Sequence, residues 1–406
     1  MKKLLFIAVL IPILGGIGWW YFREQQFPNY GPAFREYAYV SNGKSNTVSV
    51  IDLRTFELAK TIHVGSEPTG IAANGKKNEI YVVNTGSANV SVIDAETNTL
   101  VATIGVYGRP YFIDVSADGR RAYVANSGSS NVSVIDLEKR MVLGNVRVGA
   151  APGLARVSPD ESTVVVSNRG DNTVSLIDAA TLRVRATLPV CQQPEDIAIL
   201  PDSTKAFVSC SGSSQVASIQ LATADVGLAD GAASQQQKSG LQKKDDRVLA
   251  LLDVGRTPVS LALKPDGGEM IVCNFDSDSI SIVETGNDEV GSSQEIGQHP
   301  SRGIVTLDNT RLFVSNFGSN TIAIYDIDLG RRIDTFMVGS RPDALALTPD
   351  QRYLLVLDTQ SGDVTVIQKR TPRTLEPKEY SLLTLIPVGM QPNAIVVKAF
   401  RMSAKK

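Results

Sequence analysis

The side chains best able to bind or react in this chain stand beside a recurring proline. Arg109, His299 and Arg341 immediately precede Pro110, Pro300 and Pro342, Arg256 stands two residues before Pro258, and Arg302 follows two after Pro300. If they converge, four guanidinium groups and an imidazole form a site for an anion or a carboxylate-bearing group, because a guanidinium offers paired donors to a carboxylate. Glu67, Glu195, Asp196 and Asp343 occupy the same stretches and offset part of that charge, and Tyr107 and Tyr111 lie among them. The same residues are therefore also read as an ordinary solvated rim. Other chemistry is thinly provided. Two histidines, His63 and His299, are too few for a multi-histidine metal centre. No phosphate-cradling glycine loop, zinc-binding helix or nucleophile elbow occurs, and no cysteine pair has metal-binding spacing. Asp276-Ser277-Asp278 resembles a calcium loop only in its first three positions. No catalytic residue, metal ligand or cofactor is assigned.

These residues are positioned by a repeat. Tyr39-Val40-Ser41-Asn42 recurs at intervals of 42 residues as Tyr81-Val82-Val83-Asn84, Tyr123-Val124-Ala125-Asn126, Val165-Val166-Ser167-Asn168 and Phe207-Val208-Ser209-Cys210. After a step of 64 it resumes as Ile271-Val272-Cys273-Asn274, Phe313-Val314-Ser315-Asn316 and Leu355-Val356-Leu357-Asp358. Each unit runs from an opening proline through an apolar strand, a turn, the Asn-ended strand, a Gly/Ser/Asn turn, a strand such as Val132-Ser133-Val134-Ile135-Asp136, and a last strand. From the proline to the Asn-type residue the spacing is always 16. A period of this length with purely β-type patterning predicts propeller blades of four strands, each burying its faces against its neighbours. Eight prolines and eight Asn-type strands give eight blades. Because the chain starts on a second strand and ends on a lone first strand, Ala394-Ile395-Val396-Val397, the two ends are expected to complete one blade and close the ring. The strand-end Asn residues, and Asn46, Asn89, Asn131, Asn172 and Asn320, are read as turn formers.

The Tyr-Val-x-Asn strand, the Val-Ser-Val-Ile-Asp strand and the Pro-Asp-Gly turn resemble the YVTN family of β-propeller repeats, the surface-layer and YncE-like group, over about residues 37–400. The resemblance implies an all-β, eight-bladed β-propeller, an extracytoplasmic location and no common catalytic residues. Function is accordingly read as a non-catalytic binding or scaffolding module, with an envelope or surface protein, or a small anionic ligand, as partner. The alternative is a cofactor-handling or oxidoreductase propeller like the d1-haem domain, in which arginines hold propionates and a histidine stands near iron. His299-Pro300-Ser301-Arg302 is the segment that carries that likeness.

Forty basic against 42 acidic residues leave a formal charge of -2, so nothing draws the chain to nucleic acid. Lys2 and Lys3 precede an uncharged apolar run, residues 4–22, long enough to span a bilayer core. Residues 1–22 are read as a signal anchor in the cytoplasmic membrane or a cleaved signal peptide, which puts the propeller on the periplasmic or extracellular side. Residues 23–36 read as a tether, 37–400 as the propeller and 401–406 as a tail. Residues 222–246 and the stretch around 369–380 are insertions between third and fourth strands, the former a mobile loop by composition. Cys191 stands in place of a Gly and Cys210 in place of the Asn of one blade, so they form either a disulfide or two separate thiols. Cys273 reads as a small packing residue.

Overall fold

The computed structural model describes residues 31–222, 245–370 and 378–402. Short β-branched runs punctuated by turn residues form eight antiparallel sheets of four strands each. In chain order we label the blades A (68–105), B (110–147), C (152–189), D (194–253), E (258–295), F (300–337) and G (342–387), with H made of 34–63 and 392–401. In each, the proline-initiated strand is innermost and the chain steps outward to the fourth. Blade H alone combines the two chain ends. Its strand Pro392–Arg401 pairs with Phe34–Asn42 from Phe34 opposite Arg401 to Asn42 opposite Pro392, which closes the ring. Strand pairing thus takes in residues 34–36, assigned above to the tether, and Arg401, assigned to the tail.

The apolar faces do not meet in one core. Eight separate clusters form, one at each junction between neighbouring blades; Val48, Val50 and Ile62 of blade H pack on Ile71, Ile80 and Ile93 of blade A, for example. This is why the third strands are nearly continuous in apolar content, being covered on both faces. The outer edges are blunted by a register shift between third and fourth strands in every blade, a device that hinders edge-to-edge pairing.

The opening proline lies directly opposite the Asn-type residue, Pro68 with Asn84 and Pro392 with Asn42 among them, which explains the fixed spacing of 16. The turn-former reading of those strand-end residues is corrected here. Asn42, Asn84, Asn126, Asn168, Asn274 and Asn316 are fully buried. The amide Nδ2 of Asn84 donates to Asn89 Oδ1 at 2.7 Å and Ser91 Oγ at 2.9 Å, and Asn126 repeats this with Asn131 and Ser133. They tie second to third strand rather than shape a turn, and the buried Ser of the third strand serves as their acceptor. Asn46, Asn172 and Asn320 do adopt left-handed backbone, whereas Asn89 and Asn131 do not. The segments 4–22 and 223–244, and residues 371–377, lie outside the described residues; among the described residues no helix is long and apolar enough to cross a membrane.

Candidate functional site

The fourth-to-first-strand loops and the turns between second and third strands share one face, since strand direction alternates across a blade. There, the residue before each opening proline is left-handed in all eight blades: Glu67, Arg109, Ala151, Gln193, Thr257, His299, Arg341 and Gln391 have φ between 48° and 55°. An L residue pays for this conformation sterically, and the pattern of bonds shows what holds it. Its carbonyl accepts the N–H of the first turn residue, as Arg109 does from Ser127, His299 from Phe317 and Arg341 from Thr359. In four of the eight its own N–H also goes to a turn side chain, Glu67 to Asn46, Gln193 to Asn172, His299 to Asp278 and Arg341 to Asn320, at 2.8 to 3.0 Å. Eight equivalent backbone positions therefore present eight side chains at the mouth of the channel.

Beneath each loop lies a close approach. A Cβ built on Gly65 would meet Asn84 Cγ at 2.7 Å, and one on Gly255 would meet Asn274 Cγ at 2.6 Å. The loop rests on the Asn, which is why Gly stands there. In blade D both partners change together: Cys191 replaces the Gly, Cys210 the Asn, and a disulfide joins them with Cα atoms 5.6 Å apart. In blade G the Asn is Asp358, beside Asp363, and Thr365 Oγ1 donates to Asp358 Oδ2 at 2.6 Å. Burial first, then the adjacent Asp363, push the Asp358 carboxyl far above the ordinary range, to about 8.

The four arginines and His299 singled out in the sequence are brought together only in part. His299 stacks on Phe275 of blade E with centroids 4.6 Å apart, Phe275 stands 6.0 Å from Phe317 of blade F, and the Arg341 guanidinium lies over Phe317 at 5.4 Å. Arg256 is next to this arc and donates from Nη2 to the carbonyl of Asp276 at 2.8 Å. Arg302 sits lower, on the inner strand of blade F. It faces Asp196 at 3.6 Å and Asp343 at 3.9 Å, and Arg156 reaches the other oxygen of Asp196 at 3.9 Å. Burial alone would depress the Arg302 guanidinium, but Asp343 and Asp196 hold it above its usual range. Arg302 is therefore committed to two carboxylates. Arg109 belongs to another part of the rim, with no contact to the other four.

The same inner strands lace the blades together. Asp196 accepts the backbone N–H of Leu261 in blade E, and Asp114 that of Val157 in blade C; burial raises the Asp114 carboxyl against the pull of Arg156. Higher up, Arg169 pairs with Glu195 at 2.6 Å and lies over the Tyr111 ring. The inner channel wall is thus close to charge-balanced, whereas Arg256 and Arg341 beside Phe275 and Phe317 have no carboxylate partner among the described residues. Cys273, close to Arg302, is fully buried and its thiol is pushed up to about 12, chiefly by burial, so it is an inert packing group. Asp276 accepts a hydrogen bond from Thr257 and Asp278 one from His299; among the described residues no cluster of metal-binding type occurs. Sequence reasoning missed Arg156, Arg169, Asp114, Phe275 and Phe317. The signal for the last two lies in the repeat itself, since the first turn position reads Gly43, Thr85, Ser127, Arg169, Ser211, Phe275, Phe317 and Thr359.

A model of YncE-like β-propellers matches residues 20–157. Over those residues the chain is similar to YncE-like β-propellers. Solved structures agree with this chain in fold. The dihydro-heme d1 dehydrogenase NirN in complex with DHE is 15% identical, with 89% of this chain and 74% of that one covered and a TM-score of 0.67. A putative 6-phosphogluconolactonase from Bacteroides fragilis is 15% identical, covering 92% of this chain and 100% of its own, at a TM-score of 0.58. Hydrazine synthase of Kuenenia stuttgartiensis is 21% identical over 71% of this chain and 91% of that one, at 0.52. At such identities the likeness is one of fold. No curated protein sequence matches significantly.

Proposed function

We propose that this chain is a non-catalytic binding module of the cell envelope, exported or anchored by residues 4–22. Its ligand is a carboxylate-bearing group, free or on an envelope protein, taken on the arc of Phe275, His299, Phe317 and Arg341. The observation that carries this is the arc itself: four planar groups in series, with Arg341 on an aromatic face and paired with no acid among the described residues. Aromatic faces backed by a guanidinium suit a flat or acidic group. Arg302 supports the site from below by fixing the inner strands rather than by meeting the ligand. The test uses benzene-1,3,5-tricarboxylate as probe on the full-length protein. Binding that weakens with salt and is lost in His299→Ala/Arg341→Ala, at unchanged melting temperature, is the expected result. No binding, or equal binding by the double variant, overturns it.

A second reading, a cofactor-handling propeller, is favoured by the flat stacking of His299 on Phe275, with an interplanar angle of 23°. Here a visible absorption band in protein purified from its native envelope is the deciding observation. A colourless protein sets that reading aside.

A further inference from the structure

Tyr107 breaks the rule that holds the loops down. At the position three residues before the opening proline the blades carry Gly65, Tyr107, Gly149, Cys191, Gly255, Gly297, Gly339 and Gly389. Only blade B puts a large side chain there. The Gly seats the loop against the buried Asn, with built Cβ positions 2.6 to 2.8 Å from Asn84, Asn168, Asn274 and Asn42. Tyr107 cannot sit against Asn126 in that way, and its ring turns outward, 52% exposed.

Blade B also lacks a bond that most other blades make. In five of the other seven the residue two before the proline donates its N–H to a turn serine, Ser66 to Ser87, Gln192 to Ser213, Arg256 to Ser277, Ser340 to Ser361 and Met390 to Ser45, at 2.6 to 3.1 Å, and in blade C Ala150 donates to Asp171. In blade B the corresponding serine is Ser129, and its Oγ is buried without any partner. A built Cβ on Gly108, the residue that would donate, meets nothing within 4 Å. What opens is a groove of about 510 Å³, lined by Tyr107, Ser129, Ser130, Asn131, Asn145 and Arg147.

The lining has a consistent chemistry. Tyr107 offers a ring face and a phenol with no hydrogen-bond partner among the described residues. Asn145 accepts from Ser133 through Oδ1 at 2.8 Å, which leaves its amide Nδ2 free to donate. Ser129 Oγ has unused hydrogen-bonding capacity, and exposed Arg147 pairs with no acid among the described residues. An aromatic face for the apolar side of a ring, neutral amide and hydroxyl groups for hydroxyls, and a single guanidinium for one carboxylate describe a sugar acid. We propose that this groove, separate from the Phe275–Arg341 arc, binds an acidic saccharide of the uronic acid type. A polyanion such as nucleic acid fits less well, because the lining supplies one cation and the chain carries a net charge of -2.

The test is calorimetric titration of the full-length protein with tri-galacturonate, with galactotriose as the neutral counterpart and a short single-stranded oligonucleotide as the competing polyanion. Tri-galacturonate is expected to bind more tightly than galactotriose. Arg147→Gln should weaken it about tenfold or more, the loss of a charge-assisted bond, and bring the two saccharides level. Tyr107→Gly, which restores the repeat, should remove saccharide binding while the melting temperature stays the same or rises, so a loss through misfolding is distinguishable. Three outcomes overturn the proposal: no binding of either saccharide at millimolar concentration, unchanged tri-galacturonate affinity in Arg147→Gln, or tighter binding of the oligonucleotide than of tri-galacturonate.

Discussion

Two levels of the same loops obey different rules. At the lower level, where loop meets blade, seven of eight positions are Gly or Cys and the partner beneath is a buried Asn, Cys or Asp. One residue higher than the proline, the left-handed positions carry Glu67, Arg109, Ala151, Gln193, Thr257, His299, Arg341 and Gln391, with no chemical theme. The lower level has contacts on all sides, so a side chain there is decided by packing. The upper level has its backbone held through its carbonyl in all eight blades, and in four through its N–H as well, while its side chain points away from the junction, so the residue type is free to serve recognition. The exceptions at the lower level are informative in turn: a disulfide in blade D locks the junction covalently, a carboxyl pair in blade G makes it pH-sensitive, and Tyr107 in blade B opens it.

The largest effect is expected where a junction is removed altogether. Deleting 392–406 takes away Pro392, which faces Asn42, and leaves the strand Phe34–Asn42 without its inner neighbour. Cooperative unfolding, followed by circular dichroism, should be lost; a truncated chain that melts like the parent would break the comparison at once. Next comes the covalent junction. The Cys191–Cys210 bridge closes a loop of sequence separation 19, for which chain entropy gives a stabilisation of about 3 kcal/mol. Cys191→Ala/Cys210→Ala should show that loss in denaturant melts, and Cys191→Gly/Cys210→Asn, which restores the repeat, should recover part of it.

The carboxyl junction should respond to pH. The Asp358 pKa is raised in the fold, so the native state holds the proton more tightly than the unfolded chain. Its contribution is complete below the ordinary carboxylate range and is lost as pH rises towards about 8. Glu36, buried in the closing blade, is raised to about 7 by burial and Asp350 and acts in the same direction. Melting temperature is therefore expected to fall between pH 5 and roughly 8, and Asp358→Asn should flatten part of that fall. An identical pH profile in the variant would show that the pair does not titrate in the fold. The smallest effect belongs to the upper level. Gln391→Gly relieves a left-handed L residue but frees the unfolded chain, so the two terms nearly cancel and a change within about 1 kcal/mol is expected in the same melts.

Much of this was legible in the residues. The 42-residue period and the Pro-to-Asn spacing follow from strand pairing of fixed length, so blade count and ring closure could be read before any coordinates. Cys191 and Cys210 stood out by position because both depart from the repeat in one blade, but the choice between a disulfide and two thiols needed the structure, which joins them. The candidate site was legible only in part. His299 and Arg341 were found through their place before a proline, but Phe275 and Phe317, which join them, come from turns of different blades. Arg302 looked like a ligand-binding group until its two carboxylate partners, from blades D and G, were placed beside it. Inter-blade contacts of this kind have no local signature, since they depend on which side chains the ring brings together. The buried Asn ladder was misread for a related reason: a turn Asx and a strand-end Asn look alike until the Ser or Thr five and seven residues on is seen as its partner.

The separation of the two levels is tested most directly by thermal unfolding of two variants made in the same region. Gly255→Ala places a Cβ within 2.6 Å of Asn274 and should lower stability by about 1–3 kcal/mol, the usual cost of overpacking. His299→Ala/Arg341→Ala, on the arc directly above, should melt like the parent. A double variant that loses as much stability as Gly255→Ala would mean that the arc holds the fold together, and the division between a packed junction and a free rim would fail.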